Sequence, residues 1–201
     1  QPVFQMLRSV FYSAVLMLST PLWGADWYWT GSTGSSWVDL TNWSSALTGG
    51  LAPSVVPGIT DTVFFNADSP ANPITTLGAA QSALGMVFNS NAIGGTTLGT
   101  LNDFTLTLGT GGINVQSGTQ TLNSSITIGG NQTWTNNGSG ALTAAGNIAQ
   151  NGNLTLSGTM PISITGTITA VASRSLILSS GAQASIGALS TTATQTFTTA
   201  A

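Results

Sequence analysis

The sequence predicts an all-β fold of the β-solenoid type. Three observations carry that prediction. Short segments alternate aliphatic residues with Thr or Ser at a strict period of two. Related segments recur at about 22 residues. The chain also lacks the residues from which stable helices are built. It has no Lys and no Glu, and charged residues make up 3% of its 201 positions. Ordinary soluble domains carry roughly 25%.

The first segment, 1–25, reads as a signal peptide. Arg8 precedes an apolar run from Val10 to Leu18, followed by Pro21 and the small pair Gly24-Ala25. A basic residue, a short apolar core and a small-residue exit describe a secretory leader. The run is too short to span a bilayer. Export of the mature chain from near Asp26 follows, and the missing cysteines require stabilisation by core and backbone pairing rather than disulfides.

The second segment, 26–73, is Trp-rich. It holds Trp27, Trp29, Trp37 and Trp43, and four of the five acids. Asp26-Trp27-Tyr28-Trp29 alternates as a strand with one apolar face, and Val63-Phe64-Phe65 fits another. This segment is expected to form the first strands and to plug the open end of the solenoid.

The third segment, 74–201, is expected to form the coils. Strands are read at Phe104–Leu108, Ile113–Val115, Ser125–Ile128, Leu154–Leu156, Ile162–Ile164, Thr167–Thr169 and Leu176–Leu178. Leu101-Asn-Asp-Phe-Thr-Leu-Thr-Leu-Gly109 resembles Leu122-Asn-Ser-Ser-Ile-Thr-Ile-Gly129. A single coil cannot bury its aliphatic side, whereas stacked coils can. Stacking also accounts for the missing charges. Equivalent positions in successive coils sit about 4.8 Å apart, and like charges at that spacing repel. Asn102 and Asn123, or Asn131 and Asn153, lie about one coil apart and are placed to pair. The alternative is that each Asn fills a turn needing positive φ, and for any single Asn that is the stronger reading.

The inventory excludes much chemistry. Without His or Cys there is no Cys/His metal site and no Ser-His or Cys-His catalysis. Two arginines, Arg8 and Arg174, cannot form a basic face for nucleic acid. Asp39, Asp61, Asp68 and Asp103 fall in turns or at strand starts, where Asp is common for local reasons. They are weak candidates for carboxylate catalysis, and Asp61 with Asp68 for calcium. No catalytic residue, metal or cofactor is expected. Trp27, Trp29, Trp37 and Trp43 are the one candidate ligand site, stacking on sugar rings, against the plainer role of a cap.

Three features together resemble the bacterial autotransporter-associated β-strand repeat proteins. They are the Trp27-x-Trp29…Trp37…Asn42-Trp43 opening, the Asp61-Thr-Val-Phe-Phe65 segment and coils such as Ile126-Thr-Ile-Gly-Gly-Asn-Gln-Thr-Trp134 and Asn153-Leu-Thr-Leu-Ser-Gly158. The resemblance covers roughly Trp27 to Leu178. It implies a right-handed parallel β-helix, exported to the bacterial cell surface, outer membrane or beyond. The implied function is a non-catalytic structural passenger, an adhesin or display stalk. The alternative is a carbohydrate-binding or polysaccharide-degrading β-helix. Implied partners are a surface polysaccharide or a host or neighbouring cell surface, with end-to-end self-association. Such chains usually continue into further coils and a barrel or sorting tail. Gln1 in place of Met and the ending at Thr191–Ala201 are read as marks of a fragment.

Overall fold

The computed structural model describes residues 24–65, 71–89, 94–101, 103–170, 172–191 and 195–199. The leader expected at 1–25 lies outside them except for Gly24 and Ala25, and so do Asp68 and Asn102. The described chain is an all-β solenoid of about six turns with almost no helix. Its one helical element is a short 3-10 turn, Leu40–Asn42.

Three parallel faces run along the axis. The first stacks Asp26–Trp29, Thr62–Phe65, the end of Gln81–Phe88, the end of Leu106–Val115, Gln132–Asn136, Leu154–Gly158, Arg174–Leu178 and Gln195–Thr199. The second stacks Ile74–Thr75, Thr96–Leu98, Gln120–Leu122, Leu142–Ala144 and the first parts of Ile162–Ala170 and Ala184–Thr191. The third stacks 81–83, 106–108, Ile126–Ile128, Ile148–Gln150 and the last parts of the same two long strands.

Fixed register converts the coils into columns. Leu98, Leu122, Ala144, Ile164 and Ile186 form one inward column. Leu106, Ile126, Ile148, Ile168 and Leu189 form another. Outward, Thr97, Thr121, Thr143, Ser163 and Ser185 stack in line. The aliphatic residues assigned inward by their alternation, such as Leu106, Leu108, Ile126 and Ile128, are buried.

Several strands differ from the sequence reading. Leu106–Val115 is one strand rather than two, and Ile162–Ala170 likewise joins two expected strands. Each bends from one face to the next. Gln81–Phe88 shows why such strands are hard to see. Its register shifts between Ala83 and Gly85, so Ala83, Met86 and Phe88 are all buried and the alternation breaks mid-strand.

Gly112 marks one of these bends. It has φ +63°, and a side chain there would run into the carbonyl oxygen of Thr133 in the next coil. Gly49, with φ +68°, lies in open space. Alanine at either position pays the left-handed backbone penalty of about 1–2 kcal/mol. Only Gly112→Ala adds a collision between coils. Urea titration is expected to show Gly112→Ala clearly less stable than Gly49→Ala; equal losses would contradict the close stacking at that corner.

Candidate functional site

The Trp-rich segment folds as an aromatic cluster over the first coil. Asp26–Trp29 pairs in parallel with Thr62–Phe65 on one side and antiparallel with Trp43–Ser44 on the other. The short second strand covers an edge that would otherwise invite further pairing. Alternation turns Trp27 and Trp29 toward the axis. Trp29 stands in the column above Phe65 and Phe88, and the two Phe rings stack at 5.0 Å. Trp43 lies edge-on to Trp29 at 5.0 Å and to Trp37 at 4.7 Å. These edge-to-face contacts suit the ring quadrupoles.

Trp29, Trp37 and Trp43 are 2%, 0% and 2% exposed, so their faces are covered by one another and by Phe65. Trp27 is half-buried against the same core. Trp29, Trp37 and Trp43 therefore come together as a packed layer rather than an open row, and Trp27 packs against the same core. On the outside, Tyr28 stacks on Phe64 at 4.9 Å.

Each described acid except the exposed Asp26 accepts from backbone N–H groups, and for Asp61 and Asp103 one of these lies in another coil. Asp39 precedes the 3-10 turn, accepting from the Thr41 backbone N–H at 3.0 Å and hydroxyl at 2.6 Å, and from the Thr33 hydroxyl at 3.0 Å. The Thr41 hydroxyl above all holds its carboxyl below the usual carboxylate range. Asp61 accepts from the N–H groups of Ala25 and Gly58, each at 2.8 Å. Asp103 accepts from Leu77 N–H at 3.1 Å and Phe104 N–H at 2.8 Å. Among the described residues, no three His, Cys, Asp or Glu gather where they could hold a metal ion.

A set of buried amides escaped the sequence reading. Gln120, Gln132, Gln150 and Asn136 are buried at inward positions. Gln120 accepts from Thr96 N–H at 2.7 Å and donates to the Ser117 carbonyl at 2.8 Å. Asn136 donates to the carbonyls of Gly140 and Pro161 and accepts from Gly138 N–H at 3.1 Å. Gln132 accepts from Trp134 Nε1 at 2.9 Å. These amides satisfy corner groups that the strand ladders leave open. Their signal was parity: in Gln120-Thr-Leu122 and Gln132-Thr-Trp134, the amide shares the inward side with an apolar residue.

A second feature, anticipated in part from the spacing of Asn131 and Asn153, is a corner ladder of asparagines. Asn131 Oδ1 accepts from the backbone N–H of Asn153, 22 residues on, at 2.9 Å. Asn153 Oδ1 accepts from Ser175 N–H at 3.0 Å, again 22 residues on. Asn137 and Asn147 bridge to Thr159 and Thr167 in the same manner. Asn131 and Asn153 do pair across coils, but through side chain to backbone rather than amide to amide.

Trp43 Nε1 donates to the Trp37 carbonyl at 2.8 Å, whereas Trp37 Nε1 is buried with no partner among the described residues. The substitutions Trp43→Phe and Trp37→Phe delete the same atoms. Only the first strands a buried acceptor, which costs about 1–3 kcal/mol. Chemical denaturation is therefore expected to show Trp43→Phe the more damaging by that margin. The reverse order would contradict the hydrogen-bonding pattern of the cluster.

In comparisons with known proteins, the chain matches no family model, no curated protein and no solved structure.

Proposed function

We propose that this chain is an exported, non-catalytic structural passenger, a stalk that displays or adheres at a bacterial cell surface. On this reading its solenoid is the right-handed parallel β-helix of the autotransporter-associated β-strand repeat proteins. The observation that carries the reading is the organisation of the outer faces. They consist of repeated neutral columns, such as Thr97 to Ser185, whose chemistry is the same from coil to coil. Carboxylates here accept from backbone N–H groups of turns and of other coils, as Asp39, Asp61 and Asp103 illustrate.

A stalk gains from this arrangement. Each added coil buries its own aliphatic column against the last, so length comes without a new core. The accompanying proposal is end-to-end self-association, one solenoid stacking on another as coils stack within it.

Antibody labelling of intact and permeabilised cells of the source organism tests the proposal. Labelling of intact cells, abolished by brief external protease, is the expected result. Labelling only after permeabilisation would overturn export to the surface.

A further inference from the structure

The outer side of the first face carries a shallow groove of about 350 Å³ that crosses four successive coils. Thr110, Asn131, Thr133, Asn153, Thr155 and Ile177 are among its lining residues, and none of the lining residues is charged. Three inter-coil steps of about 4.8 Å give it a run of about 14 Å along the axis.

The asparagines in this groove are oriented rather than free. Each Oδ1 faces a backbone N–H one coil on, at 2.9 Å for Asn131 and 3.0 Å for Asn153. A backbone N–H can only donate, so the amide oxygen must take that side. Nδ2 is thereby committed to the opposite side, where it has no protein partner among the described residues. Two residues along each strand stand Thr133 and Thr155, paired in register. Two successive coils of the groove thus carry one motif, an amide donor without a protein partner among the described residues and a threonine hydroxyl.

We propose that this groove binds a neutral linear polysaccharide lying along the solenoid axis. A regular polymer of hydroxyls offers acceptors and donors at a repeat, which is what the groove presents. An anionic polymer would find no cation among the lining residues. A peptide adding as a strand needs an open backbone edge, but here the backbone on both sides is already paired to neighbouring coils. The equivalent groove on the third face offers less. It has a single asparagine, Asn147, against Asn131 and Asn153 on the first face.

The site is independent of the surface-display reading, because binding is measured on the purified chain wherever the cell places it. Affinity electrophoresis through gels containing a soluble linear neutral β-glucan, polygalacturonate or no polymer is the direct test. Retardation is expected in the β-glucan gel alone. The Thr133→Val/Thr155→Val variant keeps side-chain shape and removes two hydroxyls, and Asn131→Asp keeps the acceptor and removes the donor. Each is expected to weaken retention by about tenfold, equivalent to about 1.4 kcal/mol. The variant Thr121→Val/Thr143→Val makes the same change on the second face and is expected to bind as the unaltered chain does. Unchanged circular dichroism spectra establish that the variants fold. The proposal is overturned by no retardation in β-glucan, by equal retardation in polygalacturonate, or by groove variants that bind unimpaired.

Discussion

Parallel pairing in constant register is the constraint on which the rest of the structure depends. It places every residue over its counterpart one coil earlier, so a side chain meets its own kind rather than an arbitrary neighbour. Columns must therefore be self-compatible. Aliphatic residues satisfy this inside, as Leu106, Ile126, Ile148 and Ile168 do. Threonine and serine satisfy it outside, as Thr97, Thr121, Thr143 and Ser163 do. Repeated like charges would not, because facing like charges are destabilising. A charged fraction of 3% is then the consequence of a fold made almost wholly of facing equivalents.

The same constraint explains where the exceptions fall. Corners break the ladder, and buried amides complete it, as Gln120 and Asn136 do. Asparagine side chains reach the backbone of the following coil at offsets of 20 to 22 residues, tying turns together where strands do not. At the first described coil the inward columns continue into Trp27 and Trp29, while Trp37 and Trp43 pack beside them. A mean hydropathy of +0.30 fits a chain in which each coil contributes an aliphatic layer.

Strand parity was legible in the sequence wherever a strand stays on one face. Ile126-Thr-Ile128 and Leu154-Thr-Leu156 read correctly because inward and outward residues alternate without interruption. Leu106–Val115 was legible only in pieces, since its bend shifts parity, as Gln81–Phe88 also does between Ala83 and Gly85. Gln132 shares the inward parity of Trp134, but the partners that satisfy its amide there, Trp134 Nε1 and the Leu108 carbonyl 24 residues earlier, emerge only from the fold. Clustering of the four tryptophans could be anticipated from composition. The covering of three of them depends on the antiparallel return of Trp43–Ser44, which two residues alone do not signal. The donor row of the first-face groove was partly legible from the spacing of Asn131 and Asn153. Its direction is set by backbone N–H groups and emerges only from the fold.

A like-charge cycle on the outward column of the second face tests the central claim most directly. Thr121→Lys and Thr143→Lys place ammonium groups on residues that face one another across adjacent coils. Urea denaturation of both single variants and the double variant yields the coupling between them. Column stacking predicts that the double variant loses about 0.5–1 kcal/mol more than the sum of the singles at low salt, and that the excess fades at high salt. Additive losses at low salt, with no dependence on ionic strength, would contradict the account.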